Sequence, residues 1–209
     1  MLQLIQQFLH QSIQPLSKCL LCEVDRAHQH QLCQDCWQQL PWADSVPIQR
    51  HDLHIYSACN YAYPINRIIQ QFKYEQQLHY QYLLSELLIE LRLPRFHAII
   101  PMPISEKRLV ERGYNQALIL ANLLAQHLQL PVWQPIQRLA QHSQKGLNRL
   151  ERLENIAQQF KIIEHKKTRF KRVLIVDDVV TTGSSAHALA MTLQQLGCEK
   201  IEVACLAIA

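Results

Sequence analysis

Arg172-Val173-Leu174-Ile175-Val176-Asp177-Asp178-Val179-Val180-Thr181-Thr182-Gly183-Ser184-Ser185 carries the sharpest pattern in the chain. An unbroken apolar run, Val173 to Val176, leads into two carboxylates, then hydroxyls and a glycine. Such a run predicts a buried strand, and the periodic stretch from Ser184 to Leu196, closed by Gly197, predicts a helix after it. Asp177 and Asp178 then stand at the carboxyl end of a buried strand, the edge of an open α/β sheet where ligands bind. Thr181, Thr182, Ser184 and Ser185 offer hydroxyl donors, the helix start offers backbone N–H groups, and Gly183 lets the backbone approach a phosphate closely. Two carboxylates would repel that phosphate, so they must face something else, for which sugar hydroxyls or a magnesium ion are the natural candidates. A plain helix cap would need one hydroxyl and no acid pair. Neither G-x-x-x-x-G-K-[ST] nor G-x-G-x-x-G occurs, which excludes the other common phosphate loops.

Working outward, apolar runs alternate with helical stretches. Ile55 to Tyr63 predicts a strand, and Pro64 opens a helix with Ile65, Ile68, Ile69 and Phe72 on one face. A second helix is expected over Leu78 to Leu91, a strand at His97-Ala98-Ile99-Ile100, and a helix from Asn115 to about His127. Val132 to Ile136 is a further apolar run, Asn148 to Ala157 is helical in pattern, Phe160 to Ile163 suits a strand, and Ile201 to Ile208 is the last strand. Strands alternating with helices predict an α/β fold, a mostly parallel sheet covered on both faces.

Two polar segments bear positive charge. Pro101 to Gln116 follows the Ala98–Ile100 strand directly and so opens on the same sheet edge as the acid pair. Lys107, Arg108 and Arg112 in it could neutralise a pyrophosphate, or could be ordinary charges on a solvated turn. Gln141 to Asn155 is long, polar and contains Gly146, as expected of a mobile flap carrying Lys145, Arg149 and Arg152.

The segment Val-Leu-Ile-Val-Asp-Asp-Val-Val-Thr-Thr-Gly-Ser-Ser resembles the binding motif of type I phosphoribosyltransferases for 5-phosphoribosyl-1-pyrophosphate (PRPP). Pro-x-Pro, Arg-Gly-Tyr-Asn-Gln, Gln-x-Gly-Leu-x-Arg-x-x-Arg and this acidic segment, in that order, make the chain from about Tyr61 onward similar to the ComF family of competence-related proteins. The resemblance implies a type I phosphoribosyltransferase fold, with ribose hydroxyls and Mg2+ at Asp177 and Asp178. Val179, Val180, Thr181, Thr182, Gly183, Ser184 and Ser185 would wrap the 5′-phosphate. A pyrophosphate loop would carry Lys107, Arg108 and Arg112, a flexible loop Lys145, Arg149 and Arg152, and a hood Phe72, Lys73 and Tyr74. The hood aromatics could stack on a base or on unpaired DNA, or could simply pack at a helix end. Ser143 stands where the family usually has Thr, and many members carry a second cysteine group upstream of the strand near Tyr56, where this chain has only Cys59.

Cys19-x-x-Cys22 and Cys33-x-x-Cys36 have the spacing of a closed tetrahedral thiolate site, and predict structural zinc. His28 and His30 lie between the pairs as bystanders. Cys59, Cys198 and Cys205 fall in or next to apolar strands and are expected as buried thiols. Residues 1–50 are expected to form a helix and zinc module, and residues 51–209 the phosphoribosyltransferase-like domain.

Composition excludes little more. The chain has 209 residues, 48% hydrophobic and 18% charged, with a net charge of +4, values of an ordinary globular protein rather than a disordered or strongly nucleic-acid-binding tail. Met1 to Ile13 predicts an amphipathic helix, not a signal peptide, and no apolar stretch is long enough to span a bilayer, so no membrane insertion is expected. Seven cysteines, an odd count with four in two tight pairs and three scattered, suit a reducing, cytoplasmic setting. Lys166, Lys167, Arg169, Lys171 and Arg172 are expected to be a solvated cluster. The family resemblance implies a role in natural transformation with single-stranded DNA and an uptake helicase or other competence proteins as partners. The alternative is an enzyme moving ribose 5-phosphate from PRPP to a base or amine, with the leaving pyrophosphate stabilised electrostatically.

Overall fold

The branched and apolar runs of the sequence build one five-stranded sheet of order β1-β2-β7-β6-β3, with β1 (Ile48–Arg50), β2 (Leu53–Asn60), β3 (Ala98–Pro101), β6 (Arg172–Val180) and β7 (Lys200–Ile208). All neighbours are parallel except β1, which pairs antiparallel with β2 across a tight turn. The computed structural model describes residues 18–28, 30–139, 159–163 and 170–209. They fall into two compact units, one ending at Pro41 and the other beginning at Trp42. The division expected at residue 50 therefore lies earlier, because Ile48–Arg50 pairs with Leu53–Ile55 as part of the sheet.

In the larger unit the helices are α2 (Ile65–Tyr74), α3 (Gln81–Ile89), α4 (Glu106–Arg112), α5 (Gln116–Leu128) and α6 (Ser184–Gln195). Alternation along the strands sends side chains to two faces. Ala186, Leu189 and Leu193 of α6 bury against one face with Ile55, Val173, Ile175, Val203 and Cys205. On the other, α5 packs on β3 and β6 while α3 packs on β2 and β7. Each fully buried large aliphatic side chain contributes about 1.5–3 kcal/mol, and Ile55, Leu83, Leu87, Ile99 and Leu120 are all solvent-free.

Several elements depart from the sequence pattern. Strand β6 runs four residues past Val176, since Val179 and Val180 pair with Ala207 and Ile208; the acid pair sits inside the strand rather than after it. Strand β2 stops at Asn60. The Val132–Ile136 run is preceded by Pro131 and interrupted by Pro135, which lack the ladder N–H, and only Val132 makes a single bridge to Ile99. The strand there is β4 (Ile136–Arg138), paired antiparallel with β5 (Phe160–Ile162) in a separate two-stranded sheet. The segment expected as an open basic loop holds α4, capped by the Ser105 hydroxyl, which accepts the Arg108 N–H, and ended by Gly113 at φ +83°. The expected helices at 1–13 and 148–157 lie outside the described residues.

The smaller unit has one short helix, α1 (Gln34–Gln38), whose N-cap is Cys33: its sulfur accepts the Cys36 N–H. No helix among the described residues is long and apolar enough to cross a membrane.

Candidate functional site

Asp177 and Asp178 are consecutive residues near the end of β6, and the Asp178 side chain bears directly on the Asp177 carboxyl. Asp178 is 2% exposed; its Oδ1 accepts the Val179 N–H at 2.9 Å, and Lys73 Nζ lies 2.6 Å from Oδ2. That contact is one of charge rather than an aligned hydrogen bond, since Oδ2 has no hydrogen-bond partner. Asp177 Oδ1 accepts the Asp178 N–H at 2.9 Å. Burial, and then the neighbouring Asp178 charge, push the Asp177 carboxyl well above the usual carboxylate range, against the pull of the Asp178 N–H and Lys73.

Beyond the strand, Thr182 Oγ1 and Ser184 Oγ are 2.9 Å apart, and α6 starts at Gly183 with φ +80° and no side-chain cap. The Ser184 N–H donates to Thr182 Oγ1 at 3.4 Å, and the first turn of a helix favours an anion. A Cβ on Gly183 would come within 3.1 Å of Arg50 Cβ, and His51 stacks on His187 with centroids 4.7 Å apart. The turn from β1 to β2 thus backs the cradle, a neighbourhood that the sequence hid because Arg50 and His51 read as a domain boundary. Val180 is a buried strand residue and Val179 pairs with β7, so the cradle beyond the strand is Thr181 to Ser185, shorter than expected.

The hood residues divide three ways. Phe72 is fully buried, so it packs in the core and offers no face for stacking. Lys73 turns to Asp178. Tyr74 is 67% exposed, with the Arg112 guanidinium 5.0 Å from its ring centre. In the basic segment, Lys107 is solvated and 3.9 Å from Glu111, and Arg108 is exposed. Arg112 is buried and donates to Gln116 Oε1 at 2.6 Å, so it serves the scaffold rather than a ligand. Tyr114 donates its hydroxyl to the Phe72 carbonyl, and Asn115 caps α5 while its amide nitrogen donates to Met102 O at 3.1 Å. Arg-Gly-Tyr-Asn-Gln is therefore a clamp that joins the end of α2 to the start of α5.

One cation near the acid pair went unnoticed in the sequence. Arg138 on β4 donates to Gln159 Oε1 at 3.2 Å; burial, then Arg108, weaken its hold on its proton, and Asp177 opposes them. Its only sequence signal was an arginine ending an apolar run, just before the polar segment. Lys145, Arg149 and Arg152 of that segment, and Lys166, Lys167 and Arg169, lie outside the described residues.

The family resemblance implied magnesium on the acid pair, and the residues present do not suit it. Magnesium is held through one or two carboxylates, with water and ligand oxygens completing its shell, and here one of the two carboxylates already holds an ammonium. Among the described residues only Cys19, Cys22, Cys33 and Cys36 gather three or more ligand groups. Their ligand atoms all lie within 4.8 Å of one another, with Cys22 and Cys33 sulfurs 3.9 Å apart, a set able to hold a metal ion. Burial opposes ionisation of Cys19, yet N–H groups of Cys22, Cys33 and Leu21 bring its thiol down to about 6; burial, then Cys33, push Cys36 up. His30 stacks on Trp37 and stays out of the cluster. Cys59 and Cys205, pushed up by burial to about 12, and Cys198, to about 11, are buried thiols as expected.

A cavity of about 330 Å³ lies away from all these groups, between residues 42–47, the middle of β2 and the end of α3, lined by Trp42, Tyr56, Leu87 and Arg92 among others.

Residues 115–208 match the phosphoribosyl transferase domain. Competence protein F of Haemophilus influenzae is 32% identical over 88% of this chain and 82% of its own length. DNA utilization protein YhgH of Escherichia coli is 28% identical over 90% of this chain and 82% of its own. Among solved structures, a purine phosphoribosyltransferase from Pyrococcus horikoshii aligns over 69% of this chain and 73% of its own at 22% identity, TM-score 0.33. The sheet with its flanking helices is the type I phosphoribosyltransferase fold.

Proposed function

Since this chain belongs to the competence protein F (ComF) family, we propose that it is a DNA-uptake protein whose phosphoribosyltransferase-type domain binds PRPP and acts with incoming single-stranded DNA in the cytoplasm. The observation that carries this reading is the acid pair on β6, followed within a few residues by the uncapped start of α6. A scaffold that only held DNA would have no need to set two carboxylates, one of them buried, beside an anion cradle.

In this reading the ribose hydroxyls donate to Asp177 and Asp178, and the 5′-phosphate takes the hydroxyls and N–H groups of Thr181 to Ser185. Lys107, Arg108 and Arg138 supply positive charge toward the pyrophosphate, joined by Lys145, Arg149 and Arg152. Magnesium accompanies PRPP as the counter-ion of its own pyrophosphate. Zinc closes the four-cysteine cluster as a structural ion. Single-stranded DNA meets Tyr74, the exposed aromatic of the hood, flanked by Arg112; a base can stack there while lysines and arginines neutralise the backbone. An uptake helicase or another competence protein is the expected protein partner.

A strain lacking the protein is expected to lose transformation by exogenous DNA while growing without added purines or pyrimidines, and the Asp177→Asn, Asp178→Asn double variant is expected not to restore it. A nucleotide requirement with intact transformation would instead make the protein a catalytic phosphoribosyltransferase. In vitro, calorimetry should show PRPP binding to the native chain and none to the double variant.

A further inference from the structure

We infer that Lys73 is the resident cation of the acid pair: it takes the place of a divalent metal on Asp178, so that this site receives a phosphoribosyl ligand without a metal ion held by the protein. For the identity of the ligand this rests on the function proposed above; for the role of Lys73 it does not.

A carboxylate as deeply buried as Asp178 needs a counter-charge close by. Lys73 Nζ at 2.6 Å from Oδ2 supplies it, and that oxygen has no hydrogen bond of its own. With Lys73 on that oxygen, a divalent ion would have to displace the ammonium before it could use Asp178. Nor is Lys73 a loose surface arm. Its side chain is 20% exposed, and it stands in the last turn of α2, where a cation is favoured by the helix dipole. The residue before it, Phe72, is fully buried, with its carbonyl taken by the Tyr114 hydroxyl; the residue after it, Tyr74, lies under Arg112. The Arg-Gly-Tyr-Asn-Gln clamp thus fixes the backbone on which Lys73 rides. An ammonium has three donors, and Asp178 engages one side of it, leaving the others for ligand oxygens. Lys73 is a ligand-positioning residue at the acid pair, and the base-stacking role implied for the hood aromatics falls to Tyr74 alone, since Phe72 is buried.

The deciding experiment is Mn2+ binding, read by electron paramagnetic resonance on the ligand-free, zinc-loaded full chain. The native protein should show no Mn2+ that depends on Asp178. Lys73→Met should gain about one Mn2+ per chain, lost again when Asp178→Asn is added. Mn2+ bound to the native chain through Asp178, or none gained by Lys73→Met, would overturn the inference. Lys73→Gln keeps a donor for Asp178 without the charge, and replaces the Met variant if that one does not fold. A second measurement uses ribose 5-phosphate, which lacks the chelating pyrophosphate: its affinity for the native chain should be the same in EDTA and in Mg2+, and should fall roughly tenfold or more in Lys73→Met with EDTA. A requirement for Mg2+ in the native chain would overturn the inference. If neither ribose 5-phosphate nor PRPP binds, the phosphoribosyl function fails, and the Mn2+ result still decides what Lys73 does.

Discussion

The cysteine cluster and the acid pair both gather charge-bearing groups for a cation, but they are assembled on opposite plans. The four cysteines come from a stretch of eighteen residues, Cys19 to Cys36, and local turns bring their sulfurs within 4.8 Å. The acid pair is adjacent in sequence, and its cation arrives from Lys73, 105 positions away (178 − 73). One set is able to take an ion from outside; the other is met by a side chain from inside. The lesson is that clustered acids in a sequence do not imply a metal; what counts is whether the fold has already neutralised them.

Removing a ligand from the first plan should have the largest effect. Cys33→Ser breaks both the thiolate set and the N-cap of α1, and metal analysis should fall from about one zinc per chain to near none, with loss of order in the smaller unit. Strands β6 and β7 should keep their amide-exchange protection, and a loss there would mean the two plans are not separable.

Lys73→Met attacks the second plan. It strands a buried carboxylate, so the ligand-free chain should lose about 3–5 kcal/mol at neutral pH in urea unfolding. An unchanged midpoint would mean Asp178 finds another counter-charge.

Gly183→Val tests the cradle. The φ of +80° and the 3.1 Å approach to Arg50 Cβ should cost about 1–3 kcal/mol, and ribose 5-phosphate binding should vanish in calorimetry. Retained binding would remove the close-approach reason for this glycine.

The smallest change is expected at Asp177, and it is stabilising. Its folded-state carboxyl is held well above the usual range, so the fold prefers it neutral. Stability is then greatest below the unfolded carboxyl value near 3.9, declines as pH rises from there, and levels off once the folded group ionises. Asp177→Asn should abolish that decline and raise the ligand-free Tm by about one to a few degrees at neutral pH, while ligand binding is lost. Thermal melts across pH that match the native profile would show that Asp177 is not strained by burial.

Local features were legible where the chemistry is local. The C-x-x-C pairs, the apolar run of β6, the helix after Gly183 and the parallel order of strands all follow from spacing and periodicity, because backbone hydrogen bonding and thiolate geometry act over a few residues. Tertiary pairing alone decided the rest. Strand β6 extends through the acid pair only because Ala207 and Ile208 of β7 are there to bond Val179 and Val180. Phe72, an apparent hood aromatic, is core because α2 turns that face inward. Arg112 became a clamp when Gln116 and Tyr74 closed on it. Lys73 and Arg138 reached the acid pair from helix and hairpin, at separations no periodicity spans. Composition and spacing determined which groups this protein owns; the long-range packing of α2, β4 and β7 around β6 determined which charges meet, since a buried charge is settled by whatever neighbour the fold brings within a few ångströms.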